Sequence, residues 1–215
     1  MDAIIEGLPL FIDGFLRTLS LLGVASVGAL GIGVVVAAMR ISPVASLRVI
    51  ATVYTELVRN TPLTLVLFGC AFVLPYLGVR LDYFTLAAIG LTVYTSPFVA
   101  EALRSGVNGV AIGQAEAARS IGLTFGQTLG FVVMPQAIRM VIPPLINVFI
   151  ALTKNTSVAG GFFVVELFAT TRQLANDNGN IVLPILFTAA ALYLVVTVPL
   201  GLAAGQLEKR WVVRR

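Results

Sequence analysis

The sequence predicts an all-α membrane protein with about five transmembrane helices, folded as a single domain over residues 1–215. The composition supports this, because 58% of the residues are hydrophobic and only 11% are charged. A soluble domain carries about 25% charged residues, so this chain has too little charge to cover a water-facing surface. The mean hydropathy of +0.99 agrees, and long runs without any charged residue recur along the chain.

The charge-free runs set the predicted spans, because an α-helix needs about 20 mostly apolar residues to cross a bilayer. The segment before the first run is acidic, which is the wrong sign for a cleaved signal peptide. We expect a short interfacial helix there, kept in the mature protein. The fourth span should be broken at residues 154–157, because the run before this polar stretch is too short to cross alone. The predicted spans are residues 18–39, 61–79 with a start near residue 51, 83–100, 141–165 with the break, and 181–204.

The placement of lysine and arginine predicts the topology. With the N-terminus outside, ten basic residues fall on the inner side and three on the outer side, leaving the intramembrane Lys154 aside. Cytoplasmic loops carry the excess of basic residues, so we expect the N-terminus outside and the C-terminus in the cytoplasm. Trp211 should anchor the basic tail at the headgroups, where membrane lipid is also attracted. Topology therefore accounts for the net charge of +4, and no nucleic-acid partner is predicted.

The composition also restricts the chemistry. The chain has no histidine, so imidazole catalysis and histidine metal ligation are excluded. The acidic residues are scattered rather than paired, so we expect neither a catalytic pair nor a metal site. Cys70 is the single cysteine and lies in an apolar run, where a packing role is expected. These features disfavour an intramembrane enzyme and leave a transport subunit, or a plain channel or scaffold.

The longest polar interval, residues 105–140, is predicted to lie in the cytoplasm. Its alanine-rich part should form a short helix, with Glu116 and Arg119 paired one turn apart and Gly122 at the C-terminal cap. A second, apolar-rich helix should end at Pro135, too short to span. A solvated connector is one interpretation. Two short helices held against the inner face instead suggest a docking surface for a cytosolic partner.

The spacing in this loop resembles the EAA loop of ABC importer permeases. The triplet Glu-Ala-Ala at 116–118 is followed after three residues by Gly122, and after nine more by Val-x-Met-Pro at 132–135, where the family has Ile-x-Leu-Pro. Further matching stretches follow in the family order: RNTPLTL (59–65), FVAEALRSGV (98–107), PQAIRMVIPPLIN (135–147) and ALTKNTS (151–157). The chain is similar to permeases of the polar amino acid family, and most similar among these to glutamate-uptake permeases.

The resemblance implies a type I importer permease that forms half of a translocation path in a bacterial cell membrane. It implies two ATPase subunits with a cleft for the EAA helix, a second permease that is identical or homologous, and an extracytoplasmic amino-acid-binding protein. ATP and Mg would be bound by the ATPase, because neither Lys154 nor Lys209 follows a phosphate-loop pattern, and no cofactor is expected in this chain. The implied coupling residues are Gly113, Glu116, Ala117, Ala118, Arg119, Ser120, Gly122 and Pro135.

The stretch KNTS holds the main candidates for the substrate path. A charge inside a span is costly and marks a functional candidate, so Lys154 could meet a substrate carboxylate, or could pair with Glu101 or Glu166. Many relatives have Asp after this lysine, which suits cationic amino acids. Asn155 instead favours glutamate or aspartate, with glutamine or another polar amino acid as the alternative. The candidate path residues are Lys154, Asn155, Thr156, Ser157, Asn60, Thr61, Thr95 and Ser96.

The second and third spans carry further polar residues. For their hydroxyl groups we expect hydrogen bonds between helices. Glu56 with Arg59 and Glu101 with Arg104 are each one turn apart, and are candidates for local ion pairs or gate contacts. Pro62 should kink the second span.

Overall fold

The computed structural model describes residues 2–211, with side chains from residue 7 onward, and no strand is present among them. Eight helices follow one another in the described chain: α1 (Asp2–Ile41), α2 (Ala45–Arg59), α3 (Leu63–Tyr76), α4 (Tyr83–Asn108), α5 (Ile112–Ser120), α6 (Phe125–Ala159), α7 (Leu167–Asp177) and α8 (Val182–Trp211). A π-helical turn lies within α3 at Gly69–Val73 and another within α6 at Thr128–Val133.

Four of these helices, α1, α4, α6 and α8, are long and apolar enough to cross a membrane. The helices α2 and α3 pass the same test only as a pair, and they are bent by 98° at a break. Pro62 stands at this break and precedes the first residue of α3, where its missing amide hydrogen removes a helical bond. The described chain thus has four spans, or five if the bent pair is one span, in agreement with the predicted number.

The expected separate helix at the N-terminus is wrong. α1 is one helix of 40 residues, about 60 Å long at 1.5 Å per residue, and the predicted first span is its C-terminal part. Asp13 accepts a bond of 2.8 Å from Arg17 one turn later. This pairing along the helix surface lets the charged segment stay helical.

The predicted break within the fourth span is also wrong, since α6 continues through residues 154–157. The hydroxyl groups of this stretch bond within the helix: Thr156 donates to the carbonyl of Thr153, and Ser157 to that of Lys154, each at 2.7 Å. Such bonds satisfy polar side chains without opening the backbone. α6 instead ends at Gly160, where a Cβ atom would overlap the carboxylate of Glu166.

The second helix of the cytoplasmic loop does not end at Pro135. It begins at Phe125 and runs on into the fourth span as one helix, α6. Pro135 lies two residues after the last residue of the π-helical turn, Val133, and such turns are found where the regular bonding of a helix is interrupted. The polar interval is therefore shorter than predicted, and α5 is its only separate helix among the described residues.

Small residues set the spacing of the central helices. An added Cβ at Gly28 would lie 2.7 Å from Thr92 Oγ1, and one at Gly33 would lie 2.5 Å from Val99 Cγ1, so α1 packs closely along α4. Gly106 of α4 makes a similar contact with Val141 of α6. These contacts place α4 between α1 and α6, and the groove between α4 and α6 holds the candidate site.

Candidate functional site

A cavity of about 460 Å³ lies between α4 and α6. Tyr94, Thr95 and Phe98 share one face of α4, and the α6 residues lie at intervals of three or four, which places them on one face. The residues that line the cavity are Tyr94, Thr95, Phe98, Asn147, Val148, Ala151, Leu152 and Asn155. Other cavities, of about 310, 390 and 430 Å³, contain none of the predicted path residues.

The polar groups of this cavity are amides and hydroxyls. Thr95 is buried, and its hydroxyl oxygen has no hydrogen-bond partner within residues 7–211. A buried hydroxyl without a partner is costly, so a ligand or a water that binds it would be stabilised. Asn155 is half-buried on the opposite wall, and Asn147 lies two turns earlier on α6. No charged residue is among those that line the cavity.

Thr95 and Asn155 are the two predicted path residues that line this cavity; the other six lie elsewhere. Ser96 faces α2, where its hydroxyl lies 2.7 Å from that of Tyr54. Asn60 and Thr61 bond to carbonyls of α2 at 2.7 and 2.8 Å. The hydroxyls of Thr156 and Ser157 bond within α6. The hydroxyl groups of Thr61, Thr156 and Ser157 therefore bond to carbonyls one turn earlier in the chain. Ser96 makes the expected kind of bond between helices.

Lys154 is exposed on α6 and does not line the cavity. The expected alternative, a buried ion pair with Glu101 or Glu166, is not formed in the described chain. Glu101 binds two arginines, and Glu166 binds backbone amides and hydroxyls.

The two acid–base pairs behave differently. Arg104 donates to Glu101 with Nη2 and Oε2 2.9 Å apart. Glu56 and Arg59 are not within ion-pair distance: Glu56 accepts from the Asn60 amide at 3.4 Å, and the guanidinium carbon of Arg59 lies 5.5 Å from the ring centre of Phe98. The expected local pair at the end of α2 is thus wrong. An aromatic ring on α4 attracts the cation instead.

The short helix α5 carries the EAA triplet, as predicted. Ala118 is buried against the body of the protein, whereas Gly113, Glu116, Ala117, Arg119 and Ser120 are exposed. Gly122 has φ of +91°, a conformation that favours glycine. The amides of Gly122 and Leu123 donate to Arg119 and Ala118 at 3.0 and 3.2 Å, which is the Schellman arrangement of a helix C-terminus.

The helix α5 differs from the prediction in one contact. Glu116 and Arg119 do not form an ion pair within 4.0 Å in the described chain. The hydroxyl of Ser120 donates to the backbone carbonyl of Glu116 at 2.9 Å. Large apolar side chains are exposed around α5: Ile112, Ile121, Phe125 and Phe131, each exposed by more than 70%. Contiguous exposed apolar side chains mark interaction surfaces.

Two residues at helix ends make contacts that the sequence does not predict. Glu166 is fully buried and joins α1, α7 and α8. Arg40, at the end of α1, lies 2.8 Å from Glu101 of α4. Glu166 is 148 positions from Thr18 and 27 from Tyr193, and Arg40 is 61 positions from Glu101. No local pattern in the sequence signals these contacts.

The helical arrangement and the EAA spacing can be compared with known proteins. A family described as "Binding-protein-dependent transport system inner membrane component" matches residues 29–213. The chain belongs to this family. It is 41% identical to the "Probable glutamine ABC transporter permease protein GlnM" of Bacillus subtilis, with 98% of this chain and 97% of that protein covered. It is also 41% identical to the "Glutamate transport system permease protein GluC" of Corynebacterium glutamicum, with 96% of each covered.

A solved structure agrees with these relatives. The chain superposes on an amino acid ABC transporter with a TM-score of 0.88 and 29% identity, over 96% of each chain. The family membership and this likeness show a permease subunit of an ABC amino-acid importer, in the inner membrane. The subunit is not an enzyme, because a separate subunit hydrolyses ATP in these systems.

Proposed function

We propose that this permease conducts glutamate, with aspartate next, along a path bordered by the cavity between α4 and α6. The observation that carries the proposal is the position of Asn155 in this cavity with the buried, unpartnered hydroxyl of Thr95. An Asp in place of Asn155 would place a like charge beside an acidic substrate, and a buried like charge is unfavourable. A glutamate permease 41% identical to this chain supports the same substrate.

Glutamine is the second candidate, and a specific observation favours it. The residues that line the cavity offer two amides and two hydroxyl groups and no charge. An amide side chain can both donate to and accept from such groups. A relative named as a glutamine permease is equally similar, at 41% identity.

The remaining parts of the complex follow from the exposed surface of α5. We propose that α5 and the apolar side chains beside it dock in a cleft of an ATPase subunit, with two such subunits per complex. ATP and Mg are bound there and not by this chain. A second permease, identical or homologous, completes the path, and an extracytoplasmic binding protein delivers the amino acid. The ten-to-three distribution of basic residues supports an N-terminus outside and a C-terminus in the cytoplasm.

The test uses the complete complex, reconstituted in proteoliposomes with its binding protein. Uptake and substrate-stimulated ATP hydrolysis are measured with glutamate, aspartate and glutamine. For a glutamate importer, Asn155→Asp should lower both activities with glutamate more than with glutamine. Asn180→Asp, the same change at an exposed position outside the cavity, is the matched control. If both activities are unchanged in Asn155→Asp, this position does not contact the substrate.

A further inference from the structure

One carboxylate joins two helices near the end of the cavity. Glu101 Oε1 lies 2.8 Å from Arg40 Nη1 at the end of α1, and Glu101 Oε2 lies 2.9 Å from Arg104 Nη2 on α4. Glu101 and Arg40 are both largely shielded from solvent. Arg104 forms a charge-assisted hydrogen bond with Glu101. Arg40 is attracted to Glu101 by its charge alone, since Arg40 Nη1 has no hydrogen-bond partner within residues 7–211. This ion pair draws the Glu101 end of α4 toward the end of α1.

Phe98 lies one helical turn before Glu101 on α4, at the end of the cavity nearest this charged cluster. It lines the cavity together with Tyr94, and the two ring centres are 5.5 Å apart. The guanidinium of Arg59, at the end of α2, lies 5.5 Å from the centre of the same ring. Phe98 thus contacts the cavity and also the last residue of α2.

The helix that carries Arg59 has a second contact with α4. The hydroxyl of Tyr54 donates to the carbonyl of Val93 at 3.1 Å and lies 2.7 Å from the hydroxyl of Ser96. Beyond these contacts α2 buries only Ala51 and Thr55, and it is separated from α3 by the 98° bend. A helix with few buried residues next to a break can change position at low cost. A movement of α2 would therefore break the contact between Arg59 and Phe98.

We propose that Arg59 is a positioning residue that holds Phe98 as a barrier between the α4/α6 cavity and the Glu101 end of the permease. Loss of the contact lets the ring turn and opens the cavity toward that end. The inference rests on the proposed role of the cavity as part of the path. It adds a barrier and the helix that controls it.

The test measures access to the cavity directly. In a Cys70→Ala background, Val148→Cys places a thiol on the cavity wall. The complete complex is reconstituted without nucleotide in two separate preparations of vesicles, one for each orientation of the permease. Each preparation is labelled with a membrane-impermeant maleimide, so that each side of the membrane is tested in turn. From the Glu101 side, Arg59→Gln should raise the labelling rate about fivefold or more, the factor that corresponds to losing a cation–π contact of about 1 kcal/mol. Phe98→Leu should raise it similarly.

Two further variants keep the test specific. Arg59→Lys retains a cation that can lie over the ring, so its labelling should stay close to that of the unmodified residue. Arg80→Gln removes an exposed arginine in the loop before α4 and should change nothing. Co-purification with the ATPase shows that each variant is assembled.

Equal labelling rates in Arg59→Gln and the parent, or equally fast labelling in Arg59→Lys and Arg59→Gln, would overturn the proposal. The labelling rate is measured without transport, so this test is independent of the substrate. If Arg59→Gln changes the labelling rate while Asn155→Asp transports glutamate normally, the barrier is supported and the proposed substrate contact of Asn155 is refuted.

Discussion

Glu166 provides the sharpest test of what holds the helices together. Its carboxylate accepts from the backbone amides of Phe168 and Ala169 at 2.9 and 2.7 Å, from Tyr193 at 3.0 Å and from Thr18 at 3.4 Å. It therefore caps the start of α7 and ties that end to α1 and α8. Glu166→Ala would leave these four donors without their acceptor in a fully buried site.

The expected loss follows from the cost of such groups. Leaving buried donors without their acceptor costs about 1–3 kcal/mol, and losing an N-cap costs about 1 kcal/mol more. For a chain of this size each kcal/mol lowers the melting temperature by about 2–4 °C. Glu166→Ala should therefore lower the melting temperature by about 4 °C or more, measured by circular dichroism of the purified permease in detergent.

A graded series separates this effect from a general sensitivity to mutation. Tyr193→Phe removes one donor and should lower the melting temperature by less than Glu166→Ala does. Glu208→Ala changes an exposed glutamate and should leave it within about 2 °C of the parent, as surface substitutions usually do. If Glu166→Ala and the Glu208→Ala control have the same melting temperature, the hydrogen bonds of Glu166 do not stabilise the fold.

Three shorter predictions concern the ends of the helices. Glu116→Lys and Gly122→Trp should uncouple ATP hydrolysis from uptake, or block assembly, while the permease still reaches the membrane. The reason is that Glu116 is exposed on α5 and that the φ of +91° at Gly122 strains any other residue. Normal uptake and normal co-purification with the ATPase in both variants would contradict docking. In a cysteine-free background, Asp177→Cys should react with an impermeant maleimide in intact cells and Gln127→Cys only after permeabilisation, and the reverse pattern would refute the proposed topology. The hydroxyl and amide of Thr85 lower the pKa of Asp82, the N-cap of α4, so its contribution to stability is present at neutral pH and is lost as the pH falls through the lowered pKa. Asp82→Ala should reduce the melting temperature at pH 7 but not in strong acid, where an equal reduction would argue against the cap.

Much of the fold follows from local patterns, and the exceptions have a common physical cause. The charge-free runs identify the spans, and the spacing of the EAA triplet to Gly122 identifies α5 and its cap. The errors concern continuity: α6 passes through residues 154–157, and α1 is not divided. In both places polar side chains find partners within one turn of their own helix, so polarity in the sequence did not mark a break.

The candidate site was harder to predict. Asn155 was selected from the resemblance, as the residue after Lys154, and Thr95 as a polar residue within the third span. The cavity itself depends on which faces of α4 and α6 meet, and Asn147, Tyr94 and Phe98 belong to it only for that reason. Arg40 is one of the ten basic residues counted on the predicted inner side, and in the structure it also pairs with Glu101 of α4. Contacts between distant segments are set by packing, which no local spacing encodes.

Lys154 makes the last prediction, because its surroundings do not agree with a lipid-facing position. It is exposed on α6 beside Asn155 and forms no ion pair within the described residues. A lysine at the centre of a bilayer costs about 2.5–3.5 kcal/mol, so this side chain should face water in the assembled importer. Lys154→Cys should then react with a charged, water-soluble thiol reagent in the assembled complex, since reaction requires a hydrated thiolate. Leu194→Cys, on the exposed face of α8, should stay unreactive in the same membranes. If neither cysteine reacts with the charged reagent, but Lys154→Cys reacts with a membrane-soluble maleimide, the side chain faces lipid and this surface of α6 lies outside the translocation path.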